Sequence, residues 1–475
     1  MARDRRDLND RQQQREAVKQ QRLQEQKRLR RRLLMALLIM VGCAASIFII
    51  ARNNGMFLPK PKEDIQVSET VNPDADPSEE TSAPTEPTHG PKREPVKTIH
   101  IRAAGDLNVT TNVVQSGRVG KKYDFTNSFI DVAALLSEAD WTVLNFEGNV
   151  CGEPYGSETR SAPPELLTAL LNAGVDMVQT ANSYSIHNGL IGLTATLQSI
   201  RNSGLIPLGS YTSPAEFQRN KGYTIVDIEG VRVAFVAFTK GVGGMGMPAG
   251  NEDCVNLLYE DYDSTYQKVD TKKITKILRS VAAEKPDITV AMLHWGSEYN
   301  DKISKTQDEI AELMMAEGVS VILGTHPHTV QKVQFDKDAG TLIAYSLGDF
   351  YGDAKRAGTN YSIILDVEIT KDANAGVTKV TGFDYFPIYT LSQEEREEKN
   401  SVIRQVLRIG TSMQARDGNF VDRITADAYS SMEYSLKRIT DRVNNMDEIR
   451  ELEKEEIAKQ KRKEERKNEK KNKDK

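Results

Sequence analysis

The sequence predicts an α/β domain with largely parallel strands, carried on one transmembrane helix and followed by C-terminal helices. Three observations lead there. Between residues 97 and 390 short apolar runs alternate with amphipathic helical patterns, residues 33–51 are 19 consecutive residues without a charge, and beyond residue 391 the pattern turns helical and charged. At 475 residues the chain can bury a large core, since domains average ~150 residues. With 28% charged and 39% apolar residues it is neither wholly disordered, collagen-like nor a polytopic membrane protein.

Residues 1–32 are rich in Arg and Gln, with 12 basic against 5 acidic side chains and no apolar periodicity. The apolar segment 33–51 follows directly and is long enough for a hydrocarbon core of ~30 Å at ~1.5 Å per residue. The basic run before it, against Arg52 alone close behind it, predicts a cytoplasmic N-terminus and an extracellular body at the cell membrane. A cleaved signal peptide would have a shorter apolar region ending in small residues, whereas this one ends in Ile47-Phe48-Ile49-Ile50. Met40-Val41-Gly42-Cys43 is an imperfect lipoprotein motif, and apolar residues continue past it. Residues 52–96, rich in Pro, Ser, Thr and Glu, cannot bury enough surface to offset their ordering entropy and read as an extended stalk.

The domain itself spans 97–390. Candidate strands lie at 99–104, 142–146, 177–180, 223–228, 231–238, 288–293, 319–323, 341–345 and 361–369. Candidate helices lie at 128–139, 164–173, 190–203, 272–283 and 303–316, and Glu229-Gly230 marks a hairpin. Residues 391–446 read as a helical extension, beginning with Ser392 as N-cap and Glu395 three positions on, with a second helical pattern at 424–442. Residues 447–475 form a solvated charged tail. The net charge of −5 divides into +7 over residues 1–32, +5 over 461–475 and −17 between them, which argues against nucleic acid as a partner. Of three cysteines, only Cys151 and Cys254 could pair within the body.

Residues able to bind metals or protons gather just after predicted strand ends. Asp106 follows the first strand, Asn145 and Glu147 close the second, and Asn182 follows the third. His294 closes the strand at 288–293, and His326 and His328 follow that at 319–323. Strand ends of open α/β sheets are where sites form, so these loops are expected to converge on one pocket. Carboxylates with imidazoles suit a metal site, and in His326-Pro327-His328 the fixed proline φ suits neighbouring metals. The glycine-rich stretch 240–247 is either a lip over this pocket or a simple turn, and lacks the Walker pattern.

The ordered motifs Gly105-Asp106, Asn145-Phe146-Glu147, Ala181-Asn182, His294-Trp295-Gly296-Ser297-Glu298-Tyr299, Gly324-Thr325-His326-Pro327-His328 and Ala344-Tyr345-Ser346-Leu347-Gly348-Asp349-Phe350 resemble those of the capsule-synthesis CapA family, associated with poly-γ-glutamate. The resemblance implies a calcineurin-like metallophosphoesterase fold, a four-layer αββα sandwich. It implies Asp106, Glu147, His294, His326 and His328 as ligands to one or two divalent ions (Mn, Fe or Zn), supported by Asn145 and Asn182. A surface polymer or the machinery that makes it is the implied partner. Where the family carries AN-N-H-x-x-D-x-G, this chain has Ala181-Asn182-Ser183-Tyr184-Ser185-Ile186-His187-Asn188-Gly189. Ser183 is a poor ligand, Tyr184 a weaker acid than imidazolium, and His187 a candidate substitute donor or ligand. Asp349 stands where the family has Asn and is a candidate replacement ligand. The expected function is an anchored, extracellular capsule or surface-polymer protein with an altered metal site, the alternative being a working phosphoesterase on a cell-envelope substrate.

Overall fold

The computed structural model describes residues 94–397, 404–409 and 424–445. The basic segment 1–32, the membrane span at 33–51, nearly all of the stalk and the tail at 447–475 lie outside the described residues. Among the described residues no helix is long and apolar enough to cross a membrane.

The strands run β1 (Lys97–Asn108), β2 (Arg118–Val119), β3 (Lys122–Tyr123), β4 (Trp141–Glu147), β5 (Met177–Gln179), β6 (Ile206–Leu208), β7 (Tyr223–Ile228) and β8 (Val231–Thr239). They continue with β9 (Ile288–His294), β10 (Val321–Thr325), β11 (Val333–Asp336), β12 (Thr341–Ala344), β13 (Asp349–Tyr351), β14 (Tyr361–Asp372), β15 (Val377–Ser392) and β16 (Arg404–Arg408). One sheet has the order β16-β15-β14-β1-β4-β5-β6, with β13 beside β1, and the other β11-β12-β10-β9-β8-β7. The central strands β1-β4-β5-β6 and β8-β9-β10-β12 are parallel, so each sheet delivers several strand ends to one edge.

The two sheets face each other, as alternation within the strands dictates. Val233 and Phe235 of β8 point into the inter-sheet core with Val290, Met292, Ile101, Val143 and Met177. Their neighbours Ala234 and Val236 point the other way, onto Ile274 and Leu278 of α6 (Thr271–Ala283) and Ile310 and Met314 of α7 (Lys305–Ala316). The other sheet covers its outer face with Phe129 and Leu136 of α2 (Thr126–Ser137) and Leu166 and Leu170 of α3 (Glu165–Asn172), packed on Leu144, Val178 and Ile364. The expected four layers are thus present. α1 (Thr111–Ser116), α4 (Gly189–Ser203), α5 (Pro214–Asn220) and α8 (Ala426–Val443) complete the helices described. Glu229 and Gly230, at φ 49° and 83°, form the expected hairpin between antiparallel β7 and β8. Cys151 and Cys254 are both free.

The expected helix starting at Ser392 is a correction. Ser392 is the last residue of β15, and residues 404–408 form β16, antiparallel to it. Only one of the two capping-box bonds exists, Ser392 N donating to Glu395 at 2.7 Å; Ser392 Oγ donates to the same carboxylate at 2.9 Å instead of accepting from the Glu395 N–H, and Tyr389 Oη also donates to it at 2.6 Å. The Ser-x-x-Glu pattern closes a turn at a strand end. What decides for strand is packing: Val406 joins the outer core beneath α2, while Leu407 faces the inter-sheet core. The second expected helix, 424–442, is α8, capped by the Thr425 side chain.

Candidate metal centre

Asp106 lies near the end of β1, Glu147 ends β4, His294 ends β9, His326 and His328 follow β10, and Asp349 opens β13. Both sheets contribute, and close backbone approaches bring the loops together. A Cβ on Gly105 would stand 1.8 Å from the Gly348 carbonyl oxygen, and one on Gly324 2.0 Å from that of Tyr345. Glycine at both positions lets β1 pair in register Asp106 with Asp349 and lets β10 pass the Tyr345 strand end. His326 and His328 have φ of 92° and 57°, a costly backbone region for side chains of this kind that turns both imidazoles into one cavity.

All these side chains are buried. Asp106 accepts from Asn145 Nδ2 at 2.6 Å and from the His326 N–H at 3.0 Å, and lies 3.5 Å from His328 Nδ1. Glu147 sits between two imidazoles, with Oε1 3.5 Å from His294 Nε2 and Oε2 3.7 Å from His328 Nε2. His328 Nδ1 lies 2.7 Å from Asp349 Oδ1. The His294 and His326 ring centres are 4.5 Å apart, those of His326 and His328 6.1 Å. Asn182 Nδ2 donates to Asn145 Oδ1 and to the Phe146 carbonyl, which fixes the Asn145 amide that holds Asp106.

Burial raises Asp106 to about 6 and Glu147 to about 8, each partly offset by His328. Burial holds His294 and His326 well below the usual imidazole value, so both are neutral donors. Burial also pulls His328 down, but the carboxylates of Asp349 and Glu147 overcome it and hold this imidazole well above its ordinary range. Burial raises Asp349, with His328 opposing.

Two buried atoms of the cluster, Glu147 Oε2 and His326 Nδ1, have no hydrogen-bond partner. Buried polar atoms are rarely left so, and a cation would satisfy both. Glu147, His326 and His328 can bring ligand atoms within 4.8 Å of one another, as can Asp106, His328 and Asp349. Two sets that share His328, built from hard oxygens and imidazole nitrogen, fit one or two divalent ions, and Asp349 stands in one of them.

Ser183 takes part through a hydroxyl 3.0 Å from His294 Nε2. The Tyr184 phenol, half-buried, is raised to about 12 by burial and by Glu147. His187 turns away: its Nε2 lies 2.9 Å from the Glu158 carbonyl oxygen and its ring packs edge-on against Tyr184. The glycine-rich stretch lies against this loop, since a Cβ on Gly243 would stand 3.0 Å from the Ser183 carbonyl oxygen. Sequence reasoning missed Thr325, whose hydroxyl lies 3.2 Å from His294 Nδ1, and Tyr299, stacked on His328 at 5.5 Å. It also missed Arg160 and Arg356, which lie over the rings of Tyr184 and Tyr299. Tyr299 stood in a quoted motif, whereas nothing local marks Arg160 or Arg356.

A curated relative, the capsule biosynthesis protein CapA of Bacillus anthracis, is 27% identical over 285 residues, covering 58% of this chain and 65% of that protein. The PGA biosynthesis protein CapA of Bacillus subtilis is 26% identical over 261 residues, covering 53% and 63%. The chain thus matches slightly less than two thirds of each relative's length. Among solved structures it is similar to a putative 5′-nucleotidase from Staphylococcus aureus (12% identity, TM-score 0.40, 73% of this chain and 58% of that one). It is also similar to a calcineurin-like phosphoesterase from Bacillus subtilis (15%, 0.38, 62% and 91%). The sequence model described as "Bacterial capsule synthesis protein PGA_cap" matches residues 100–354, more than half of the chain and every residue of the cluster, and the protein therefore belongs to that family.

Proposed function

We propose that this protein is a membrane-anchored component of capsule or surface-polymer synthesis, export or anchoring, with its N-terminus cytoplasmic and its body extracellular. In this reading the cluster holds one or two divalent ions (Mn, Fe or Zn), and the cleft binds polymer or a phosphate-bearing partner with little hydrolysis. The observation that carries it is a metal-fit cluster whose neighbouring loop offers no ready acid: the Tyr184 phenol is raised to about 12 and His187 is turned to Glu158. A bound ion would supply Lewis acidity and charge neutralisation to an anionic group. The chain's own part is to hold the carboxylates and imidazoles in place through Asn145, Asn182 and Thr325, with Ser183 hydrogen-bonding His294. The family match and the names of the Bacillus relatives support the capsule role, and the apolar segment 33–51 supports the anchor.

The second reading, a metal-dependent phosphoesterase acting on a cell-envelope substrate, is favoured by the assembly of all five expected ligand residues in one buried cluster. One experiment separates the readings: metal content of the full chain in detergent, wild type beside His326→Ala, with hydrolysis of p-nitrophenyl phosphate followed on the same samples. Metal in the wild type, lost in the variant and without turnover, is the expected result. Turnover that the variant abolishes would establish the phosphoesterase, and absence of metal from the wild type would remove both. Loss of surface polymer on deleting the gene, restored by the wild-type chain, is the expected cellular result.

A further inference from the structure

The cluster is bordered by two arginine–tyrosine stacks. On the His294 side, next to Ser183, the Arg160 guanidinium lies 4.0 Å over the Tyr184 ring. On the His328 side Tyr299 stacks on the imidazole, and the Arg356 guanidinium lies 4.2 Å over the Tyr299 ring. Because the Glu147 carboxylate lies near both His294 and His328, the two stacks stand beside one site. The Tyr184 phenol also feels the other stack, through Glu298 and Tyr299.

Neither guanidinium forms a close ion pair with a carboxylate among the described residues, although the Arg160 charge lies near enough to Glu147 to oppose the rise of its carboxyl. Arg160 donates through one nitrogen to Asn108 Oδ1 at 2.7 Å and to the Val109 carbonyl at 3.3 Å, which leaves its other N–H groups uncommitted. Its own backbone has φ 51°, so the loop holds a non-glycine residue in the left-handed region to present this side chain. The side chain of Arg356, on an exposed turn, has the Tyr299 face as its one described contact. Arg201, Arg279 and Arg408, by contrast, each pair with a carboxylate. A guanidinium held over an aromatic ring face rather than by an acid keeps donors of its fork free, the group that grips a carboxylate or phosphate through two parallel bonds. Lys240 adds a third cation, over Tyr266 and bonded to the Gly296 carbonyl.

We propose that Arg160 with Tyr184 and Arg356 with Tyr299 form a two-ended anion clamp across the cluster, which selects a ligand carrying at least two linked anionic groups over a single anion. This rests on the cleft-binding reading above, but not on its metal. Glu298, exposed beside Tyr299, is the opposing charge at the mouth and limits affinity for any anion. Carboxylate and phosphate share the required planar or near-planar pair of oxygens, so the test carries one arm for each.

The test is calorimetric titration of the full chain in detergent with tripolyphosphate, with hexaglutamate and with orthophosphate, after EDTA treatment so that chelation of bound metal plays no part. The wild type should bind one of the two oligoanions at least about tenfold more tightly than orthophosphate, and which of them binds names the source. Arg356→Gln should weaken that oligoanion about fivefold, a figure reduced for solvent exposure, while orthophosphate changes less. Arg160→Gln should weaken it about tenfold or more, and Arg356→Lys should recover only part of the loss because it restores charge without the fork. Glu298→Gln should tighten it. Arg356 has no described hydrogen bond to lose through its side chain, so Arg356→Gln tests the clamp even if Arg160→Gln disturbs its loop. Equal affinity for oligoanion and orthophosphate, or an Arg356→Gln variant that binds as the wild type does, would overturn the proposal. Metal content is measured on untreated samples: a chain without metal that still binds as described removes the metal reading and leaves the clamp standing.

Discussion

Gly105→Ala is the sharpest perturbation of the architecture that assembles the cluster. A Cβ at this position would lie 1.8 Å from the Gly348 carbonyl oxygen and 2.8 Å from its carbon, both backbone atoms that no rotamer change can move. β1 and the segment leading into β13 must then part by about 1.5 Å to restore ordinary contact. Parting removes the Asp106 N–H bond to the Gly348 carbonyl, 2.9 Å long, at about 1 kcal/mol. Overpacking of a rigid site adds about 1–3 kcal/mol, for a total of about 2–4 kcal/mol. For a domain this large that is roughly 4–8 °C in Tm. The register Asp106 with Asp349 opens at the same time, so two candidate ligands separate. Thermal unfolding of the full chain in detergent, with metal content on the same samples, measures both effects. Gly246→Ala is the control, because its nearest neighbour would be Asp263 Oδ2 at 4.0 Å. A Gly105→Ala chain that melts with the control and keeps its metal would refute the view that this backbone contact builds the site.

Metal affinity should rise with pH. Glu147 at about 8 and Asp106 at about 6 hold protons that a cation must displace, so at pH 7 binding releases roughly one proton from Glu147 and little from Asp106. His328, held high, adds a second if it ligates, whereas His294 and His326, already neutral, add none. Affinity should therefore climb at least about tenfold per pH unit between pH 6 and 7 and less steeply as Glu147 loses its proton through pH 8, with a steeper and longer rise if His328 ligates, and titration in buffers of differing ionisation heat should count the protons. His187→Ala should leave metal content unchanged, because this ring contacts Tyr184 and the Glu158 carbonyl rather than the cluster. Val406→Ala should cost about 1–3 kcal/mol in thermal unfolding, since Val406 is fully buried beneath α2; a neutral outcome would detach residues 404–408 from the domain.

The parallel core was legible because strands buried on both faces read as near-continuous apolar runs, as in residues 233–238 within β8 and 290–293 within β9. Ile206–Leu208 and Asp349–Tyr351 were not, because three residues show no period. The longest strand, Val377–Ser392, escaped for another reason: much of it is only half-buried, with Gly382 within it, so its sequence lacks both an apolar run and clean alternation. In the site, strand ends located Asp106, Glu147, His294, His326 and His328 without any geometry. His187, a candidate substitute by its place in the aligned loop, lies before the helix that begins at Gly189 and is turned to the Glu158 carbonyl, a direction only the fold decides. Arg160 reaches Asn108 across 52 positions of sequence, a contact made by the fold alone.

Charge sets the remaining question, because residues 33–460 sum to −17 in sequence while Arg160, Lys240 and Arg356 stand beside the cluster. Distance resolves the conflict. At physiological salt, charges farther apart than about 8 Å are largely screened, so the summed acid acts on approach at low ionic strength and the stacked arginines act on contact. An oligoanion that binds the wild type should therefore show two opposite salt effects in stopped-flow measurements. Its association rate should rise between 20 and 200 mM salt, about twofold or more, as repulsion from the body is screened. Its dissociation rate should rise as well, because charge-assisted bonds to the two guanidinium groups weaken. In Arg356→Gln the second effect should shrink while the first persists, since approach depends on the whole body and residence on the clamp. An association rate that instead falls with salt would mean that the field over the cleft is already positive, and the acidic body would then play no part in which anions enter.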